Sequence, residues 1–320
     1  MLGTVVVGVI FTDIKGFPEG SYCPKGRNVG RVEYVHGGVS RNIAENFAVS
    51  GMPVTFVSMT EPGGIGREAV EHLDRCGVNT EFVLPAPKNG IGKWLVILDE
   101  NGDVAGQISC PPDMKPLSDF VNAYGNAFVR DADQIILEID IGEETSEKVL
   151  TLAEKFGKKV YAIVGNMSVL LKRPDLIRRT SCFICNELEI GLLFEKDFSK
   201  VTPEEMVVAL RDEVMARGYP STVVTMGALG CVYYDKDLDE AGYVPAISTC
   251  LVDSSGAGDA FLSGTVMGLS KGLLLSESVL IGTKLASLTI QSNESSCPKN
   301  NIPAEYLEKL RRLGKESLCL

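Results

Sequence analysis

Short runs of β-branched and other apolar residues recur along the chain, and segments with helical spacing separate most of them. Continuous apolar runs are typical of strands that are buried on both faces, as in a parallel sheet. The strand candidates are residues 4–10, 54–59, 134–139, 159–165, 181–185 and 221–227, and the helix candidates are residues 41–50, 66–75, 143–156, 203–217, 257–270, 276–291 and 303–313. This alternation predicts an α/β fold with a mostly parallel sheet and helices on both faces.

Two stretches interrupt this alternation. Residues 12–36 are polar and glycine-rich and end in an alternating strand, and residues 91–109 form a hairpin pattern closed by Glu-Asn-Gly-Asp at 100–103. Strands with one polar face do not suit the interior of a parallel sheet, so we interpret both segments as a small lid over one edge. No linker or repeat divides the chain, which predicts one domain over residues 1–320 that carries this lid.

Composition excludes several classes of partner. The chain has 320 residues, 45% of them hydrophobic, which is enough for a sizeable core. A net charge of −11 provides no basic field for nucleic acid. The sequence contains neither a long apolar span nor a signal-peptide pattern, so we expect no membrane segment and a cytoplasmic protein.

Nine cysteines raise the question of a redox or zinc site, because Cys182 and Cys185 form a C-x-x-C pair. No second such pair occurs, and the two histidines, His36 and His72, do not complete a four-ligand set by their spacing. We therefore expect Cys182 and Cys185 to be inert thiols in a buried strand.

The stretch Asp253-Ser-Ser-Gly-Ala-Gly-Asp-Ala-Phe261 places a glycine-rich turn where a helix begins. Free backbone N–H groups and the helix dipole make such a turn an anion site. Asp259 would repel a resting phosphate, but as a carboxylate of ordinary pKa it could accept a hydroxyl proton during phosphoryl transfer. Alternatively, Asp259 is only an acid in the first turn of the helix.

Four motifs together resemble the ribokinase-type, or PfkB-type, carbohydrate and nucleoside kinases. Residues 252–261 resemble the family's C-terminal signature, with Ser254 in place of the usual threonine. The other three motifs are the Gly-Gly-x-x-x-Asn-x-Ala pattern within residues 36–51, the Asn-x-x-Glu of residues 186–189, and the strand and glycine turn of residues 223–230. They occur in the family's order along nearly the whole chain. The resemblance implies a three-layer α/β/α fold with a small β-sheet lid.

The resemblance also implies roles for individual residues. The base is Asp259, and the anion hole is formed by Gly256, Ala257 and Gly258. The acceptor is held by Asp13, Gly37, Gly38 and Asn42. ATP is bound beside Asn186, Thr225, Gly227 and Gly230. Magnesium is held through water by Glu189, and a monovalent cation such as K⁺ by Asp253 and Ser255.

Each motif also has a purely structural interpretation. Gly37 and Gly38 could form only a strand-to-helix turn, Asn186 could cap a helix, and Asp13 could be a turn residue. The sequence departs from the family at residues 61–66, Glu-Pro-Gly-Gly-Ile-Gly, where the family commonly has an acid at the rim of the sugar site.

We therefore expect an ATP-dependent phosphotransferase that acts on a primary hydroxyl of a sugar or nucleoside. Similarity around Arg41 and Asn42 favours a pseudouridine kinase-like enzyme or a furanose kinase. The alternative is a non-catalytic sugar- or nucleoside-binding regulator with the same fold. An oxidoreductase is disfavoured because no dinucleotide glycine motif follows the first strand, and a P-loop motif is absent from the sequence. Open lid edges favour a homodimer formed through the lid.

Overall fold

A computed structural model describes residues 2–100 and 104–302, which form two β-sheets and eight α-helices within those ranges. The strands are β1 Thr4–Val7, β2 Phe11–Pro18, β3 Gly30–Gly37, β4 Val54–Thr60, β5 Asn79–Pro85, β6 Gly92–Leu98, β7 Val104–Cys110, β8 Gln134–Glu138, β9 Val160–Ile163, β10 Cys182–Asn186, β11 Ser221–Thr225, β12 Cys231–Asp235 and β13 Glu240–Val244. The helices are α1 Val39–Val49, α2 Gly64–Cys76, α3 Lys115–Asp131, α4 Glu143–Phe156, α5 Glu187–Phe194, α6 Pro203–Arg217, α7 Ala257–Ser270 and α8 Leu275–Thr289.

The large sheet has the strand order β13-β12-β11-β10-β9-β8-β1-β4-β5. Its strands pair in parallel from β11 to β5, and β12 and β13 add an antiparallel edge. In such a sheet, ligands bind outside the carboxyl ends of the parallel strands. The glycine turn Gly227–Leu229 and the start of α5 follow directly after two of these strand ends.

The core lies on both faces of the large sheet. Val5, Val7 and Leu137 pack on one face with residues of α3, α4 and α6, whereas Val6 and Ile136 pack on the other face with α1, α2, α7 and α8. Alternate residues of one strand thus enter different cores, which explains why these strands are apolar throughout. The three-layer α/β/α arrangement predicted from the sequence is confirmed.

A separate four-stranded sheet forms the lid, with the order β3-β2-β6-β7. The hairpin predicted over residues 91–109 is present as antiparallel β6 and β7, and the middle of its turn lies outside the described residues. In the strand register, Tyr34, Ile14, Leu95 and Ile108 form one row across the sheet. Asp13 and Lys15 alternate with Ile14 and therefore lie on the opposite face.

The predicted helices α4, α6 and α7 have the observed boundaries, and α1, α2 and α8 differ from prediction by at most two residues at either end. The predicted helix at 303–313 lies outside the described residues. The elements predicted from the sequence did not include α3 and α5, or strands β5, β12 and β13. α3 contains Gly125, a poor helix former whose missing side chain lets Leu152 of α4 approach closely.

Cys182 and Cys185 are buried in β10, as predicted, and burial raises the pKa of the Cys182 thiol to about 12. Within the described part of the chain, none of the helices combines the length and the apolar character that crossing a bilayer requires.

Candidate active site

The turn before α7 can be built only with glycine at position 256. Gly256 has φ 75°, and a Cβ atom there would lie 1.9 Å from the backbone oxygen of Ser295. The preceding Asp253 fixes the loop, because its Oδ1 accepts a hydrogen bond from the Ser255 N–H at 2.8 Å. Local geometry and a distant segment thus fix the start of α7 together.

Two backbone donors are free at this helix start. The Ala257 N–H donates to the Ser254 oxygen at 3.2 Å and the Ala260 N–H donates to the Gly256 oxygen at 2.9 Å, whereas the N–H groups of Gly258 and Asp259 have no backbone acceptor among the described residues. A Cβ on Gly258 would meet open space. The helix start therefore presents unpaired donors to a space that an anion can enter.

Asp259 lies in the first turn of α7 and contacts the predicted acceptor side of the site. Its Oδ2 accepts a hydrogen bond from Asn42 Nδ2 at 2.7 Å. Asn42 is in turn held by Arg41, whose Nη1 donates to Asn42 Oδ1 at 2.7 Å. Residues 217 positions apart in sequence are thus brought into direct contact.

The expectation that Asp259 has an ordinary pKa was wrong. Burial raises its pKa to about 7, against the lowering effects of the Asn42 hydrogen bond and the Arg41 charge. The carboxylates of Glu189 and Asp13 raise it further. A carboxyl group with a pKa near neutrality is well matched to general base catalysis at that pH.

Asp13 and the glycine pair, which were predicted to hold the acceptor, lie next to one another. A Cβ on Gly37 would lie 2.5 Å from Asp13 Oδ1, so the absence of a side chain at Gly37 makes room for this carboxyl group. Gly38 has φ 103° and caps α1, and a Cβ there would lie 2.8 Å from the Val9 oxygen. Burial raises the pKa of Asp13 to about 6, although Lys15 and Arg41 lower it. Gly37 and Gly38 therefore form the strand-to-helix turn, and Gly37 also makes room for Asp13.

A cavity of about 750 Å³ lies on the other side of the α7 start. Six predicted site residues line it: Asn186, Thr225, Gly227, Gly230, Ala257 and Gly258. The wall formed by α8 and its C-cap was not predicted: Thr283, Ala286 and Ser287 of the helix and the C-cap residue Ile290 line the cavity. Their spacing of three to four residues was visible in the sequence, but the same spacing describes any helix face that packs on a core. The cavity volume lies within the range that is typical of small-molecule and cofactor sites.

Asn186 and Glu189 form a reciprocal cap at the start of α5. The Glu189 N–H donates to Asn186 Oδ1 at 2.9 Å, and the Asn186 N–H donates to Glu189 Oε2 at 2.8 Å. Burial raises the pKa of Glu189, and the nearby Asp140 adds to this effect. Both residues therefore cap the helix, and among the described residues no hydrogen bond is made to Glu189 Oε1. Carboxylate oxygens suit Mg²⁺, so Glu189 fits the predicted role.

The lid reaches the α7 turn through an ion pair. Lys15 Nζ lies 3.3 Å from Asp253 Oδ2, and the Lys15 side chain is largely buried. Burial raises the pKa of Asp253, but the Ser255 hydrogen bonds and Lys15 outweigh it and the net shift is downward. The carboxylate predicted to hold a monovalent cation thus already has a cationic partner from within the chain.

Sequence reasoning missed Glu138, a fully buried acid at the end of β8. Its Oε2 accepts hydrogen bonds from Ser40 Oγ at 2.7 Å and from the Val9 N–H at 3.1 Å. Burial raises its pKa to about 7, and the Asp259 charge contributes to this shift. An acid that directly follows three apolar strand residues was the signal available in the sequence.

Comparison with known proteins identifies the family of this chain. The family description "pfkB family carbohydrate kinase" matches residues 1–301. The guanosine-inosine kinase of Exiguobacterium acetylicum is 31% identical, covering 96% of this chain and 98% of that protein. The pseudouridine kinase of Escherichia coli K12 is 24% identical, covering 99% of this chain and 97% of that protein.

Solved structures show the same fold. The ribokinase of Arabidopsis thaliana, solved with ribose and ATP, superimposes with a TM-score of 0.82 at 22% identity and covers 96% of this chain and 97% of that one. The whole-length family match, together with the relative at 31% identity, decides the assignment. The chain belongs to the pfkB family of carbohydrate kinases and is an ATP-dependent kinase of a sugar or nucleoside.

Proposed function

We propose that this protein transfers the γ-phosphoryl group of ATP to the primary hydroxyl of a nucleoside, with guanosine and inosine as its preferred acceptors. The observation that carries the phosphoryl-transfer assignment is the contact between Asn42 and Asp259 at 2.7 Å, made beside the free N–H groups at the start of α7. The purine nucleoside assignment is supported by the relative at 31% identity, whose name gives guanosine and inosine.

Each residue of the proposed site would have a separate role in phosphoryl transfer. Asp259 accepts the hydroxyl proton as the acceptor oxygen bonds to the γ-phosphorus, and the bond from that phosphorus to the ADP oxygen breaks. The N–H groups of Gly258 and Asp259 stabilise the negative charge on the transferred group. Asp13 and Asn42 orient the acceptor under the lid, and lid closure excludes water.

The nucleotide and its metal would lie on the cavity side. Thr225, Gly227 and Gly230 line the cavity proposed for ATP, together with Asn186. Glu189 would hold Mg²⁺ through water, and this ion neutralises phosphate charge when it is bound. Asp253 and Ser255 would form a monovalent-cation site on which the reaction depends little, because the Lys15 ammonium already offsets part of the Asp253 charge.

We further propose that residues 1–320 form one domain with its lid, and that the protein is a cytoplasmic homodimer joined through the lids. The family match over residues 1–301 supports a single unit. The free thiols among the described residues suit a reducing compartment. The exposed apolar row of Tyr34, Leu95 and Ile108 supports pairing of the lids.

The test measures ADP release from MgATP with guanosine, inosine, pseudouridine, ribose and fructose as separate acceptors. We expect guanosine and inosine to give the highest kcat/KM, and product mass spectrometry to place one phosphate on the ribosyl primary hydroxyl. Highest kcat/KM with pseudouridine or with a free sugar would contradict the purine nucleoside assignment. Binding of an acceptor with no ADP release above that of Asp259→Asn would favour the non-catalytic regulator.

A further inference from the structure

Beside the proposed acceptor side, α1 and α2 bring together three side chains that commonly bind metals: Glu45, His72 and Cys76. His72 Nε2 lies 3.0 Å from Glu45 Oε1 and 3.6 Å from Cys76 Sγ. Cys76 Sγ lies 3.7 Å from Glu45 Oε1. The three atoms thus form a compact triangle of one nitrogen, one sulfur and one oxygen.

The size of this triangle matches one face of a tetrahedral zinc site. Zinc bonds of about 2.0 Å to nitrogen or oxygen and about 2.3 Å to sulfur give ligand-to-ligand distances of about 3.3 to 3.6 Å in a tetrahedron. The three measured distances, 3.0, 3.6 and 3.7 Å, require only small side-chain shifts to reach these values. The mixed donor set of imidazole, thiolate and carboxylate suits Zn²⁺ rather than Mg²⁺ or Ca²⁺.

Two helices, α1 and α2, supply the three side chains of such a site. His72 and Cys76 are four residues apart on α2, which places them on one helix face. Glu45 is buried on α1, whereas the His72 side chain is 28% exposed, so an ion can enter from solvent. His36, the other histidine of the chain, has its ring centroid 5.3 Å from that of His72 and therefore lies close to the triangle.

The other carboxylate oxygen of Glu45, Oε2, is held by a hydrogen bond from Arg41. Arg41 Nη2 donates to Glu45 Oε2 at 2.5 Å, which orients Oε1 toward His72 and Cys76. Such outer contacts typically hold a ligand carboxylate in position. Arg41 also donates to Asn42, which donates to Asp259. A continuous chain of contacts therefore connects the triangle with the proposed base.

We infer that Glu45 Oε1, His72 Nε2 and Cys76 Sγ form a zinc site that joins α1 to α2, with the fourth position open to water beside His36. Coordination requires the Cys76 thiol proton and any proton on His72 Nε2 to leave to solvent. The ion would fasten the two helices and fix Arg41 and Asn42 behind the acceptor. Neither the phosphoryl-transfer assignment nor the family implies this site.

The experiment uses the full chain after treatment with a chelator and its removal. We expect calorimetric titration with ZnCl₂ to give one ion per chain with a Kd of about 1 μM or tighter. Titration with Co²⁺ should give the thiolate-to-cobalt charge-transfer band and the visible bands of tetrahedral cobalt. The melting temperature should rise with Zn²⁺ because the ion binds only the folded chain.

Two variants and one control identify the ligands. Cys76→Ser should abolish the charge-transfer band and weaken Zn²⁺ binding at least about tenfold, and His72→Gln should weaken it similarly. Cys110→Ser removes an exposed thiol of the lid and should bind Zn²⁺ like the parent chain. Circular dichroism of each chelator-treated variant verifies folding. Absence of zinc binding, or equal affinity in Cys76→Ser and the parent chain, would overturn the inference and leave only a hydrogen-bonded cluster.

Discussion

Opposing interactions set the pKa of Asp259. Burial and the neighbouring acids disfavour its charge, whereas Asn42 and Arg41 favour it. If the carboxylate is the base, Asp259→Asn should lower kcat at least about 10²-fold, because the amide keeps the shape but cannot accept the proton. ATP affinity, measured by calorimetry, should change little. Near-normal turnover of a folded Asp259→Asn protein would remove Asp259 from the mechanism.

The raised pKa of Asp259 predicts a pH dependence. Below the folded-state pKa of about 7 the carboxyl is protonated and cannot act as a base, so kcat/KM should fall about tenfold per unit as pH decreases. Glu138 has a pKa of about 7 as well, so Glu138→Gln is measured in parallel and should retain the acidic limb. A parent profile that is flat through neutrality, or loss of the limb in Glu138→Gln, would contradict the assignment to Asp259.

Two glycines of the α7 turn should respond differently to alanine. Gly258 faces open space, so Gly258→Ala should leave unfolding free energy unchanged or raise it by up to about 1 kcal/mol. Its methyl group should nevertheless raise the KM for ATP about tenfold or more by obstructing a phosphate. Gly256→Ala should instead destabilise the fold by roughly 1–3 kcal/mol, because the position has φ 75° and contacts Ser295. Chemical denaturation and initial-rate kinetics separate the two effects, and equal KM values for the parent chain and Gly258→Ala would argue against an anion site.

Candidate site residues could be predicted where one short motif contains both the residue and the turn that positions it. The turn at 256–259 and the glycine pair at 37–38 are of this kind. The raised pKa of Asp259 could not be predicted because it depends on burial among segments far apart in sequence. For the same reason the triangle of Glu45, His72 and Cys76 was missed, since spacing along the chain does not show that α1 and α2 pack side by side.

Among the secondary structure elements, long helices with clear boundary signals were predicted best. α6 begins with a Thr202 capping box and ends at Gly218 in a left-handed conformation, and its predicted range is the observed one. α5 also begins with a capping box, but it has only eight residues, and a helix this short depends on tertiary packing for its conformation. Strands β12 and β13 are an antiparallel addition to a parallel sheet, which the alternation rule does not anticipate.

Lys15 of strand β2 connects the lid to the α7 turn, and this ion pair predicts how the reaction rate depends on monovalent cations. Because the ammonium already offsets the Asp253 charge, replacing K⁺ by tetramethylammonium should change the parent rate little. Lys15→Met removes that charge and should lower kcat/KM in tetramethylammonium by up to about fivefold, the equivalent of about 1 kcal/mol, with recovery in K⁺. Lys93→Met, which removes another lid ammonium paired with Glu61, is the control and should show no K⁺ rescue. A strict K⁺ requirement in the parent chain would refute the role given to Lys15.

At the scale of the whole molecule, the lid has two unlike faces. One carries Asp13 and Lys15, and Lys15 reaches the α7 turn. The other presents a row of apolar side chains whose largest members are exposed: Tyr34 at 67% and Ile108 at 65%. Monomeric proteins seldom leave a contiguous apolar surface on a sheet uncovered, and β3 and β7 are open edges of that sheet.

Pairing of two lids through this apolar row would bury it, and a charge within the row should prevent the pairing. Ile108→Asp introduces a carboxylate whose desolvation in an interface costs several kcal/mol, so we expect the variant to be monomeric at concentrations where the parent chain is dimeric. Sedimentation velocity over a concentration series gives both states. Val208→Asp, on an exposed site of α6, is the matched control and should remain dimeric. A monomeric parent chain, or a dimer unaffected by Ile108→Asp, would exclude the lid as the interface. Acceptor KM measured in the same series should rise as the dimer dissociates, because an unpaired lid closes less firmly over Asp13 and Asn42.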